Sequence, residues 1–191
     1  FGVLFAWYVF AQDMTMVMVD QYSHMSIARQ VTDSRTPGMS QLGFWPPLLH
    51  IVMIPFASID FLYETGLAAS VVLVPLLAVS ADLLYHLVHF LTRNRPISLG
   101  AVGVYVLNPY VLYFAVTPMT DLFFMAILII ACYFFVHWWK TESLASLLTL
   151  GFIVGISPMA RFEGFALVAM VGLFVIVRLL MKRVSYYKLE S

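Results

Sequence analysis

Charge is what this chain has least of. Only 10% of its 191 residues are Asp, Glu, Lys or Arg, where a soluble domain carries about a quarter. A chain so poor in charge cannot present water-compatible surface on every side, which excludes an ordinary soluble domain. Its ten basic and ten acidic residues cancel, so no electrostatic footprint for nucleic acid is present. Cysteine occurs once, as Cys132 inside an apolar run. That excludes a disulfide framework and a thiolate metal centre, and Cys132 reads as a small buried hydrophobe. No internal repeat or low-complexity segment stands out. The basic n-region and small-residue cleavage site of a signal peptide are missing as well.

What fills the chain instead is apolar: 62% of residues are hydrophobic and 16% aromatic. Five stretches are long enough to cross a bilayer, which needs about 20 residues: 67–91, 97–116, 120–139, 143–160 and 165–181. The breaks between them are "TRNRP", "TPMTD", "KTE" and "ARFEG". The opening "FGVLFAWYVFA" reads as the end of a further span. The expected fold is all-α, a polytopic integral membrane protein with about six transmembrane helices, the first truncated, in a single domain. Residues 1–12 end the first span, 13–66 form a long external loop with short interfacial helices, 67–181 hold five spans, and 182–191 form a cytoplasmic tail. The chain reads as part of a larger protein.

Orientation follows from the basic residues. With 92–96, 140–142 and the tail inside, Arg93, Arg95, Lys140, Arg178, Lys182, Arg183 and Lys188 are cytoplasmic. Only Arg29, Arg35 and Arg161 are then external. The run 47–63, "PLLHIVMIPFASIDFLY", cannot cross without breaking this parity, and it carries His50, Pro55 and Asp60. It is expected to lie along the outer membrane surface beneath the loop, with 22–31 as a weakly amphipathic helix on the bilayer. A cysteine at Ser40 is therefore expected to react with a membrane-impermeant maleimide in intact cells, and one at Ser185 is not. The reverse labelling would overturn the orientation.

Four short elements fall on the external face in order. They are "DQYSHMSIAR" (20–29), "FWPPL" (44–48), "NP" (108–109) followed by "TPMTDLFF" (117–124), and "ARFEG" (160–164). Each also has a structural reading. Asp20 suits a helix N-cap, and Asp121 suits the start of the next span. Pro46 and Pro47 suit a first helical turn. Asn108 beside Pro109 suits backbone repair at a kink. Arg161 and Glu163 suit a loop ion pair, His24 and His50 read as surface or satisfied histidines, and Asp13 as the solvated end of the first span.

Together the four elements resemble the GT-C superfamily of membrane glycosyltransferases, which includes protein O-mannosyltransferases, lipid A aminoarabinose transferases and GPI mannosyltransferases. The resemblance spans about residues 13–175. It departs at Gln21, where a second acid is common, and at Asp121, where Glu is usual. It implies transfer of a mannose-like sugar, with inversion, from a polyprenyl-phosphate-linked donor to an acceptor protein, lipid or glycan. That would take place at the outer face of the cell membrane, or of the ER membrane in a eukaryote. The acceptor hydroxyl needs a base, and a carboxylate can serve. The departing phosphate needs positive charge, and an arginine fork supplies it. On this reading Asp20 is the base, and Tyr22, Arg29, Asp121, Arg161 and Glu163 bind substrate, with no metal or other cofactor and with membrane lipids as the surroundings.

A second reading rests on "ADLLYHLVH". There Asp82, His86 and His89 share one helical face inside a span, as in an ion- or proton-coupled transporter. A purely structural or assembly protein is the third.

Overall fold

The computed structural model describes residues 2–189, with side chains to Met181. All regular structure in that range is helical. In chain order the helices are α1 (Gly2–Ala11), α2 (Val19–Gln30), α3 (Leu48–Ala57), α4 (Asp60–Glu64), α5 (Leu67–Thr92), α6 (Arg95–Val106), α7 (Pro109–Val116), α8 (Thr120–Thr141), α9 (Leu144–Ile156) and α10 (Gly164–Leu189). Short 3-10 turns occupy Met39–Leu42 and Ser157–Met159.

α5 is the hub. It packs against α1, α3, α4, α6, α7 and α8. Its buried face is rich in small residues, with Ala68, Ala69, Ser70 and Ser80 alongside Leu73 and Leu77. Small side chains let helix backbones approach closely where no hydrophobic effect separates helix from lipid. Two hydroxyls on this face tie the hub to the next hairpin. Ser70 donates to the Val116 carbonyl at 2.9 Å, and Ser80 bonds the Tyr105 hydroxyl at 2.9 Å.

Three helices are long and apolar enough to cross a membrane: Leu67–Thr92, Thr120–Thr141 and the described part of α10, Gly164–Met181. The expected span 97–116 is instead a pair, α6 and α7, bent by 58°, which brings the number to four if the pair counts as one. The sequence supplies the break. Pro109 has no N–H to donate, and the Asn108 side chain accepts from Tyr110 N at 2.9 Å and Val111 N at 3.4 Å. Asn108 therefore starts a new helix, as its structural reading held. The expected span 143–160 shortens to α9, 13 residues, or roughly 20 Å of helix against a hydrocarbon core of about 30 Å. The tail over 182–191 lies outside the described side chains.

Cys132 corrects a sequence expectation, since it is exposed on α8. An apolar run does not distinguish a helix face packed on protein from one turned outward. The same ambiguity affected the external loop. α2 forms as expected, but Met25 and Ala28 are fully buried and Val31 nearly so. They pack α2 on α3 instead of facing a bilayer. α3 returns the contact through Leu49, Met53 and Ala57, all at 0% exposure. At 10 residues, α3 is too short to cross a bilayer.

Candidate active site

The loop helix α2 begins in an unusual way. Gln21, and not Asp20, caps it. The Gln21 side-chain oxygen accepts from Val17 N at 2.7 Å and Met18 N at 2.9 Å. Its amide nitrogen donates to the Tyr113 hydroxyl at 3.1 Å. The departure from the family's second acid thus fills a structural post. Asp20 sits in the first turn, is exposed, and among the described residues has no hydrogen bond or ion pair. The N-cap reading of Asp20 does not hold, because Met18 occupies that position. A carboxylate in the first turn is still favoured by the helix dipole.

One turn along the same face, His24 points inward at 2% exposure. Its Nδ1 lies 2.7 Å from Nε2 of His50 on α3, itself fully buried. Trp45 closes over the His24 ring edge-on, with ring centroids 5.1 Å apart. Burial lowers the His24 pKa; the Asp20 and Asp121 carboxylates pull it back up and the Arg161 guanidinium pushes it down. His24 is therefore within electrostatic reach of acids from two elements and of the arginine from a third. His50 is lowered further, to about 4, by burial and then by its neighbour. The pair was no part of the sequence expectation. Its members stand 26 residues apart, and neither shares a periodic pattern with the other.

The other elements meet beside this pair. Asp121, in the first turn of α8, accepts from Arg161 Nη1 at 2.6 Å. Glu163 accepts from Nε at 3.3 Å and Nη2 at 3.1 Å. Burial acts to lower the Arg161 pKa, but the Glu163 hydrogen bonds and the Asp121 charge outweigh it, so the net shift is upward. The Arg161 hydrogen bonds hold the Glu163 carboxyl below its usual range. The loop ion pair anticipated for Arg161 is present, with Asp121 as an added partner. Three of the five guanidinium N–H groups are engaged, and two remain.

A cavity of about 260 Å³ opens here, walled by Trp45, Pro46, Thr120, Arg161, Phe162 and Glu163. Its walls come from "FWPPL", "TPMTD" and "ARFEG", and His24 links it to "DQYSHMSIAR". Gly164 lets the Arg161 turn fold back this tightly, since a Cβ there would overlap the Ser157–Pro158 peptide. Backbone cannot yield as a flexible side chain can. Gly164→Ala is expected to destabilise the protein by about 1–3 kcal/mol, read as a lower unfolding midpoint in detergent. An unchanged midpoint would show that the turn has slack.

Two expected site residues lie apart from this cavity. Arg29 is nine positions beyond Asp20, or about 13 Å along the helix. It pairs with Asp60 at 2.6 Å and Asp33 at 2.8 Å, donates to the Ala57 carbonyl at 3.0 Å, and stacks on Tyr63 at 5.3 Å. That set fastens the loop to α3 and α4. Tyr22 is on α2 with 54% exposure and no contact to the cluster. On the α5 face behind the transporter reading, Asp82 and His86 are exposed, while His89 is half-buried and stacked on Tyr85. Asp82 and His86 lie 3.6 Å apart with 68% and 52% of their side chains accessible. Among the described residues no group of His, Cys, Asp and Glu could hold a metal ion.

No curated protein and no solved structure matches the chain. A family model does: the one described as dolichyl-phosphate-mannose-protein mannosyltransferase aligns with residues 46–189. The match begins at Pro46, so it takes in the Trp45–Arg161 cavity wall from the prolines onward and leaves Asp20 to the geometry alone. With well over half of its length matched, the chain belongs to the dolichyl-phosphate-mannose-protein mannosyltransferase family, membrane glycosyltransferases of the GT-C superfamily.

Proposed function

We propose that the protein transfers a mannose-like sugar from a polyprenyl-phosphate donor to an acceptor hydroxyl at the outer membrane face, with Asp20 as the base. The observation that carries this reading is an unpaired carboxylate one helical turn from His24, whose ring packs on the Trp45 wall of a cavity bearing an arginine with two free N–H groups. In the reaction the hydroxyl oxygen attacks the anomeric carbon while its proton passes to Asp20. The bond from anomeric carbon to phosphate oxygen breaks, and polyprenyl phosphate departs. A single displacement inverts the anomeric centre.

Arg161 offers its two remaining N–H groups to the phosphate. The cluster of Asp121, Arg161 and Glu163 carries a net negative charge, so directional N–H bonds and not bulk charge recognise the phosphate. Glu163, with 59% of its side chain accessible, is the ligand best placed to yield to an arriving donor. Arg29 fastens the loop and does not act on the reacting atoms.

The test is transfer by the purified protein from a panel of polyprenyl-phosphate sugars, with Asp20→Asn in parallel. Transfer that depends on a lipid-phosphate sugar and on Asp20 supports the reading. Transfer only from nucleotide sugars would overturn it.

A further inference from the structure

The end of the bundle opposite Asp20 carries a second concentration of charge, of the other sign. Among the described residues it presents Arg93, Arg95, Lys140 and Arg178 against the single acid Glu142. These cations differ in what already holds them. Arg178 is occupied: Nη2 donates to the Trp139 carbonyl at 2.8 Å, the guanidinium lies 4.2 Å over the Trp139 ring, and Glu142 is 3.5 Å away.

Arg93 and Lys140 are different. Both rest on the same ring, Phe90, with Arg93 Cζ 5.4 Å and Lys140 Nζ 5.1 Å from its centroid. Neither side chain has a hydrogen bond or a carboxylate within ion-pair distance among the described residues. Ring stacking orients a cation but engages none of its N–H donors as an anion would. Both cations therefore keep N–H donors available to an anion.

Beside them lies a groove of about 290 Å³ between α5, α8 and α10. It is lined by Leu91, Phe135, Val136, Trp139 and Phe174, with Lys140 at its edge. The lining is almost wholly apolar, so a free inorganic anion uses only the rim. A molecule with a phosphate at one end and hydrocarbon at the other fits both parts.

We propose that this site binds an anionic phospholipid. Its phosphate bridges Arg93 and Lys140, and an acyl chain lies in the groove between α8 and α10. Basic pockets between transmembrane helices are suited to such headgroups, and the negative ends of α5 and α8 place the cations there. The site is remote from the Asp20 cavity and owes nothing to it.

The test is a titration of the full chain in mild detergent, followed by native mass spectrometry. Phosphatidylglycerol and phosphatidylcholine are compared for wild type and for R93Q/K140Q. Wild type is expected to retain phosphatidylglycerol in preference to phosphatidylcholine. The double variant is expected to bind phosphatidylglycerol about 30-fold more weakly, the loss anticipated for two cations at an anionic surface, and to bind phosphatidylcholine as before. Equal retention of both lipids by wild type would overturn the proposal, with no reliance on the variant. So would undiminished phosphatidylglycerol binding by R93Q/K140Q. Displacement of phosphatidylglycerol by millimolar inorganic phosphate alone would overturn it too, by showing that the groove adds nothing.

Discussion

Asp20→Asn is expected to slow sugar transfer by roughly 10²–10⁴-fold, the loss typical of removing a general base, while leaving the fold intact. The carboxamide keeps the shape of the carboxylate and removes its basicity. Two facts about the fold make the experiment clean. Gln21 does the capping at this helix start, so nothing structural passes from Asp20 to its replacement. Asp20 also has no hydrogen bond or ion pair to lose among the described residues. What stability the substitution costs comes from the helix dipole, about 0.3–1 kcal/mol for a charge in the first turn. Turnover with a lipid-phosphate sugar, measured beside the unfolding midpoint, separates the two effects. Normal turnover by the variant would remove Asp20 from the reaction.

The second large effect is on stability and depends on pH. His50 titrates at about 4 in the folded protein against the usual 6.5, because it is buried and next to His24. In the unfolded chain the same ring takes up a proton below about 6.5. Between these values the unfolded state binds more protons than the folded one, so acidification favours unfolding. The contribution is fully present above about pH 6.5 and is lost progressively toward about pH 4. A gap of that size corresponds to about 3 kcal/mol. The 2.7 Å contact with His24 gives the same sign. Two neutral rings can share a hydrogen bond as donor and acceptor, whereas two imidazolium rings have only donors. Denaturant unfolding in mixed micelles at pH 4.5 and 7.5 should show wild type losing more stability in acid than His50→Gln. If both proteins respond alike, the histidine pair does not carry the titration.

The spans and the site were legible to different degrees, for physical reasons. α5 and α8 are long apolar runs without a break, and such runs have few alternatives to crossing a membrane. Trp45, Asp121 and Arg161 are expected on one face because successive breaks alternate between two faces, and the structure brings them together. Three things were not legible. Met25, Val31 and Cys132 show that apolarity alone does not tell a protein-facing surface from an outward one. The resemblance includes Arg29 in the site motif, but its partners Asp60 and Ala57 come from elements about 30 residues on, which no local pattern announces. The His24–His50 bond was hidden in the same way. Each ring looks like an ordinary polar residue until α2 is laid on α3.

The bond from Gln21 to Tyr113 spans 92 residues. At about 5–20 residues per second of synthesis, the start of α2 waits roughly 5 to 20 s for the partner that fixes it. Tyr113 itself belongs to α7, the second half of a bent pair. Arg161 emerges later still. The Asp20 helix can settle on α3 and α4 soon after it is made, through the His24–His50 and Arg29–Asp60 bonds, but its first turn gains the Tyr113 partner only once α7 exists. A nascent chain released before α7 would carry the carboxylate with neither the Tyr113 bond nor the arginine, so the catalytic competence proposed here is gained late in biogenesis.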